Sequence, residues 1–459
     1  MTREPAGSTP DPRCDDPIAA FFREEREQVA PLPGDDLRWR RILDAGRRAR
    51  LGRWSPWAVA ASTAAAVAVA VTGGGFLHRE PLETARTVAV ADQARVGQRP
   101  PTDFVVTSVS RPSEGTTYAL GHAVCSDSGA RCPVVAVGSE GGSWQVRAVL
   151  AGRPAPSAAT SADRSAVTTI TFADPQHGWV FGGDLLGTTD GGRTWRSLEH
   201  PDGVVTDLSV TPSAPDPLVV ASLDTSDGSA SPVVRLRRSG LDGARRTSDV
   251  VVPLAANGSP LTWARIVRRG DEVVVLPTPA ASTSGVGGGV IDAQGRYRSI
   301  APSEQATGCG RPTVWAASPT GQRVYARCGL PAGARPSDQV ALMVSADGGR
   351  TWDFSGIPTP PAGSVAGERR QLMAALDDGL VLVAASSSGR LQVLRQAPSG
   401  VTEVPGAPRS ASGWQALRAE GSVLTAVPAD SGTFHLSTDR GRTWHAVTVA
   451  GSSPSRPRS

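Results

Sequence analysis

Three nearly identical octapeptides constrain this chain more than any other feature: Thr188-Thr-Asp-Gly-Gly-Arg-Thr-Trp195, Ser345-Ala-Asp-Gly-Gly-Arg-Thr-Trp352 and Ser437-Thr-Asp-Arg-Gly-Arg-Thr-Trp444. Their tryptophans stand about 157 and about 92 residues apart, which divide into three steps of about 52 and two of about 46. Degenerate copies occupy the gaps. SEGGSW ends at Trp144, SGLDGARR covers 239–246, IDAQGRY ends at Tyr297 and APSGVTEV covers 397–404. The count is seven units.

Each unit opens with two apolar or alternating stretches, as in DFVVTSV then TYALGHAV, VVTDLSV then LVVASL, or GWQALRA then SVLTAVP. Such runs read as adjacent antiparallel strands. Units of this length with four short strands each predict an all-β, seven-bladed β-propeller over 101–450, with six or eight blades as the alternatives. Separate β-sandwiches would need Pro/Gly linkers roughly every 100 residues, and no such boundary occurs.

The chemistry of the octapeptide accounts for its residues. An Asp opening a tight turn accepts hydrogen bonds from backbone N–H groups two and three residues on, Gly supplies positive φ, and Trp buries a large ring against a neighbouring strand. Asp190, Gly192, Thr194 and Trp195, with Asp347, Gly349, Thr351 and Trp352 and with Asp439, Gly441, Thr443 and Trp444, are therefore structural staples.

The octapeptides match S-x-D-x-G-x-T-W, the Asp-box or bacterial neuraminidase repeat, and in this the chain resembles the sialidase superfamily. The resemblance covers the repeat units of roughly 100–450 and implies boxes at the blade periphery, away from any active site. Catalytic members combine an arginine triad, a Tyr/Glu nucleophile pair and an acidic general acid, and many carry F/Y-R-I-P near the first blade. That motif is missing. The only tyrosines are Tyr118, inside a strand, Tyr297, in a degenerate box, and Tyr325, in the apolar RVYARC. No G-x-S-x-G or H-E-x-x-H sequence occurs either.

Upstream of the repeats, Trp54 to Leu77 carries no ionisable side chain, a length that would span about 36 Å as a helix. Seven arginines between 37 and 53 face only one acid, Asp44, so the positive-inside rule puts 1–53 in the cytoplasm and 78–459 outside. The predicted organisation is a partly helical cytoplasmic segment (1–53), a transmembrane helix (54–77), a linker (78–100), the propeller and a disordered tail (451–459). A cleaved export signal is the competing reading, since Ala89-Val90-Ala91 suits a cleavage site and would release a secreted form. Residues 15–53 are too short to bury a core; they read as a solvated tail or as a docking segment for a cytoplasmic protein.

Cysteine usage agrees with export. Cys125, Cys132, Cys309 and Cys328 make an even number beyond the apolar run, and antiparallel pairing brings Cys125 to Cys132 and Cys309 to Cys328 as disulfides. Nothing in the sequence implies a metal or a cofactor. The net charge of +4 on 459 residues, with arginine as the only strong cation, excludes a nucleic-acid footprint.

With the boxes on the turns between third and fourth strands, the long loops gather on the opposite face. Arg164, Arg311, Arg369, Arg370 and Arg409 precede first strands and are the candidate contacts for an anionic ligand, either an acidic glycan or a protein. The expected function is an extracytoplasmic, bacterial membrane-anchored binding or scaffold module without catalysis. The alternative is a diverged exo-sialidase-like glycoside hydrolase; propellers resembling the photosystem II assembly family would again favour binding.

Overall fold

The computed structural model of the chain describes residues 87–88, 95–125, 129–150, 166–224, 233–244, 247, 249–252, 261–279, 287–300, 312–328, 340–359, 373–384, 389–397 and 400–450. The predicted cytoplasmic segment, the apolar run and the tail after 450 lie outside them. Among the described residues no helix is long and apolar enough to cross a membrane.

The strands assemble into seven antiparallel sheets, as the repeat count requires. A short strand, β1 (Thr87–Val88), comes first. Blade one follows as β2 (Val105–Ser113), β3 (Thr116–Val124), β4 (Arg131–Gly138) and β5 (Gln145–Val149). Blade two is β6 (Thr169–Phe172), β7 (Gly178–Phe181), β8 (Leu185–Thr188) and β9 (Trp195–Ser197). Blade three is β10 (Val204–Val210), β11 (Leu218–Asp224), β12 (Val233–Ser239) and β13 (Val250–Val252). Blade four is β14 (Leu261–Arg269), β15 (Glu272–Pro279), β16 (Gly289–Ile291) and β17 (Tyr297–Ser299). Blade five is β18 (Pro312–Ala317), β19 (Val324–Cys328), β20 (Val340–Ser345) and β21 (Asp353–Thr359). Blade six is β22 (Met373–Ala375), β23 (Leu380–Ala384), β24 (Leu391–Ala397) and β25 (Gly400–Val404). Blade seven is β26 (Trp414–Glu420), β27 (Val423–Pro428), β28 (Thr433–Ser437) and β29 (His445–Thr448).

Side chains of a central sheet alternate between its two faces, so each blade has two apolar faces to bury and needs a neighbour on both sides. Seven apolar clusters meet that need, one between each pair of successive blades. The cluster joining the last blade to the first packs Phe104, Val106 and Trp144 against Val427, Phe434 and Val449, with Trp144 edge-on to Phe434 at 6.0 Å. The ring thus closes without exchange of a strand between its ends. A backbone bond from the Val106 N–H to the Ser431 carbonyl, 2.8 Å, ties the seam.

The boxes are staples, with a correction to the expected geometry. Asp190 accepts from the N–H groups of Arg193 and Thr194, three and four residues on, at 2.9 and 3.0 Å, and its second oxygen takes the Thr194 hydroxyl. Asp347 repeats this with Arg350 and Thr351, and Asp439 with Thr443. The first box residue, Thr188, Ser345 or Ser437, donates to the Asp and accepts from the N–H of Gly192, Gly349 or Gly441. The turn spans five residues because the Asp caps it from its start, as a helix N-cap residue does. The indole N–H groups of Trp195 and Trp444 close the unit on the carbonyls of Gly192 and Gly441.

The first turn glycine needs the left-handed region, with φ of 72° at Gly191 and 70° at Gly348. In the third box that position is Arg440, at φ 63°. A side chain there costs about 1–2 kcal/mol. Space decides where it is tolerated: a Cβ on Gly191 would lie 2.8 Å from the Pro175 carbonyl and one on Gly348 1.4 Å from the Arg269 guanidinium.

Two outcomes follow for thermal melts. Arg440→Gly raises the melting temperature, by about 1 kcal/mol of stability, because the exposed contact of Arg440 with Asp378 at 3.4 Å contributes little, whereas Gly348→Ala lowers it. The Thr443 hydroxyl and N–H hold the Asp439 carboxyl down at about 2, and the Thr351 N–H and hydroxyl depress Asp347 further. Their contribution is present above about pH 4 and drains away as pH falls toward the folded-state value; Asp439→Asn flattens the loss of melting temperature between pH 4 and 2.

Candidate functional site

The seven inner strands surround a bore, and their sequences place charge where a purely apolar strand is expected. In blade one, Ser108 and Ser110 accept the backbone N–H groups of Ile170 and Phe172 on the next inner strand. Asp207 and Ser209 repeat the pattern from blade three to blade four, accepting from Ile266, 2.9 Å, and Arg268, 3.1 Å. Asp207 therefore stands where blade one has a serine, and its other oxygen takes the Leu208 N–H.

Beside it lie two arginines that run across the bore. Arg265, on β14, donates to the Met373 carbonyl at 3.0 Å, reaching from blade four past blade five to blade six. Arg418, on β26, donates to the Val109 carbonyl at 3.0 Å, to the Ile170 carbonyl and to the Thr171 hydroxyl, joining blade seven to blades one and two. Its Nε meets Glu420 at 3.0 Å, and Glu420 also accepts the Arg111 backbone N–H. Burial raises the Asp207 carboxyl above its ordinary range although Arg265 opposes this, and burial lowers Arg265 although Asp207 opposes that. Two guanidiniums and two carboxylates make this level electrically balanced and bind non-adjacent blades together.

The structure places the residues expected from sequence unevenly. Arg164, Arg311, Arg369 and Arg370 lie outside the described residues. Arg409 is exposed, and its backbone bridges that of Arg390 just before the third strand of blade six, two strands out from the bore rather than at its mouth. Arg390 itself grips both oxygens of Glu403 at 2.9 Å. Cys125 and Cys132 form a disulfide that clips the loop between β3 and β4. Cys328 is disulfide-bonded, and Cys309 is outside the described residues.

All three tyrosines are structural. Tyr118 stacks on Phe172 with ring centres 3.6 Å apart and donates to the Pro175 carbonyl. Tyr297 reaches the Gly288 carbonyl, and burial raises its phenol. Tyr325 is fully enclosed between blades five and six, and burial pushes its phenol up to about 12. A phenol so far from ionising is a poor nucleophile. Among the described residues no group of three or more His, Cys, Asp or Glu side chains is placed to hold a metal ion.

Asp207, Arg265 and Arg418 were visible as charges inside the otherwise apolar first strands VVTDLSV, TWARIV and GWQALRA. A charge at that position faces the bore, a signal that attention to loops passes over.

No protein-family model matches the chain, and no curated protein matches it in sequence. Among solved structures it is similar to a GH74 enzyme from Niastella koreensis, at 13% identity over 75% of this chain and 65% of that enzyme, TM-score 0.39. It is also similar to YCF48 bound to D1 peptide, at 14% identity over 62% of this chain and 91% of that one, TM-score 0.34. An acylaminoacyl peptidase from Pyrococcus horikoshii aligns at 8% identity over 75% of this chain and 52% of the peptidase, TM-score 0.48. The chain thus spans less than two thirds of the GH74 enzyme and about half of the peptidase. Likeness of this degree bears on neither activity nor partner.

Removing the Arg418 contacts tests the site's structural role. Arg418→Met strips the Val109 and Ile170 carbonyls of a charged donor and leaves Glu420 with the Arg111 N–H but without its guanidinium; the expected loss is about 3 kcal/mol, read as a lower melting temperature. Asp207→Ser, which keeps an acceptor for Ile266 as Ser108 does for Ile170, costs less.

Proposed function

We propose that the protein is a membrane-anchored, extracytoplasmic propeller that binds a glycan or protein partner through the face opposite the Asp-boxes and does not cleave it. The observation that carries this reading is the use of Tyr118 and Tyr297 as hydrogen-bonded struts and of Tyr325 as enclosed packing between blades, which leaves no phenol for a sialidase-like nucleophile. The charges of the bore are likewise spent on carbonyls and on each other, an arrangement suited to a rigid scaffold rather than to an acid and base poised on either side of a substrate.

The Cys125–Cys132 disulfide supports the external placement, because such bonds persist in oxidising compartments. With the uncharged run at 54–77 and the arginines before it, it fits a propeller held outside a bacterial membrane by one uncleaved helix. The interblade arginines Arg311 and Arg370 are the proposed anion contacts. A guanidinium–carboxylate contact partly shielded from water contributes about 1.5–3 kcal/mol, so losing either weakens an acidic ligand roughly 10- to 150-fold.

The test is a screen of full-length protein in detergent against sialosides and other acidic glycans, reading retention and product release together. Retention without turnover, reduced in Arg311→Ala and Arg370→Ala, is the expected result. Sialoside turnover that survives repurification and disappears on substitution of a carboxylate on that face replaces this reading with the hydrolase.

A further inference from the structure

Six of the seven sheets have four strands, but that of blade two has five. The fifth is β1, which precedes blade one in sequence and pairs antiparallel with β9, setting Thr87 opposite Arg196 and Val88 opposite Trp195. The chain then passes to the outer edge of blade one, where the Gly97 N–H donates to the Val146 carbonyl and the Val146 N–H to the Gln98 carbonyl, at 2.9 and 2.8 Å. Only after these two edge contacts does it enter the inner strand β2.

Blade two is where such an addition is needed. Among the described strands it is the only blade with none longer than four residues, and its fourth strand, Trp195–Ser197, has three. A short outer strand leaves a row of backbone donors and acceptors with little else to hold it. The preceding box fixes its start, because the Trp195 indole N–H bonds the Gly192 carbonyl and the ring packs edge-on to Phe172 at 6.3 Å. Beyond that anchor β9 offers a preset edge. Around the paired Thr87 and Val88 the sequence Thr84-Ala-Arg-Thr-Val-Ala-Val-Ala91 is rich in β-branched residues and has no Pro or Gly, a composition that suits an added strand.

We propose that the outer edge of β9 is a strand-accepting interaction surface, occupied in the intact chain by its own stalk and able, when the stalk is removed, to take the same strand from a second copy. The kind of partner it fits is an extended segment that pairs antiparallel with Trp195 and Arg196 and is recognised through main-chain hydrogen bonds. The motif Ala89-Val90-Ala91 acquires a structural meaning here. A cut after Ala91 falls between the two edge contacts, severs β1 from the propeller and converts a strand held in cis into one held only by its own pairing.

The proposal is tested on the full-length chain with Thr87→Cys and Arg196→Cys combined. Directly opposed residues of an antiparallel pair lie within disulfide reach. Mild oxidation followed by non-reducing peptide mapping is expected to give the 87–196 link in most molecules, and a Thr87→Cys/Val251→Cys control, aimed at the outer strand of blade three, is expected to give none. Equal yields in the two pairs, or no link in either, overturns the docked strand. A second measurement uses Thr87→Pro/Val88→Pro, which deletes two backbone donors, beside Thr87→Ala/Val88→Ala, which keeps them. A fluorescent peptide of residues 84–92 is expected to bind the proline variant at least tenfold more tightly than the wild type or the alanine variant. Equal binding to all three, including none, overturns the accepting edge even if the proline variant is less stable.

Discussion

Apolar packing between successive blades is the interaction on which everything else in this molecule depends. A four-stranded blade carries buried residues on both faces, and no blade can satisfy both with fewer than two neighbours. A ring is the arrangement that meets this need with no end left over. The seam between blade seven and blade one is built like the other six interfaces, from apolar side chains such as Phe104, Trp144, Phe434 and Val449. Because no strand crosses it, the seam relies on packing, on the Val106–Ser431 backbone bond and on Arg418 reaching from β26 to the carbonyls of blades one and two. The guanidinium acts here as a spoke: its donors diverge, so one side chain serves acceptors on two blades at once.

Much of this was legible in the residues. The box tryptophans and their spacing carried the blade number, because each box must sit at one turn of one blade, and the strand pair VVTDLSV and LVVASL appears as β10 and β11, the first with the same ends and the second one residue longer, at Asp224. The box chemistry was legible in kind but not in detail. Capping from the first residue of the turn makes the donors the N–H groups three and four residues on, a matter of backbone path that residue types alone do not specify. The fifth strand of blade two was hidden because it pairs out of sequence order, with an element more than a hundred residues away.

The charges of the bore were readable but easily misjudged. An Asp inside VVTDLSV looks like a functional carboxylate, yet it does for Ile266 what Ser108 does for Ile170. What distinguishes it is its ionic setting: a serine hydroxyl satisfies one N–H, whereas the carboxylate also sets a negative charge beside Arg265 and Arg418. Placing charge there ties blade three to the cross-bore network, and the bore becomes part of the scaffold. On the proposed binding reading, ligand recognition is left to the faces of the ring. The proposed binding role fits this division of labour: a ring whose centre is committed to holding itself together.

The closed ring is the claim from which the rest derives, and native-state hydrogen exchange on the inner strands tests it most directly. If the seam is an interface like the others, the amides of β2 and β26 are protected as strongly as those of β10 and β14, which lie side by side on the far part of the ring. Exchange at β2 and β26 faster by two orders of magnitude or more, with β10 and β14 still protected, would mean that the first and last blades part readily, and would contradict a ring closed by packing and by the Arg418 spoke.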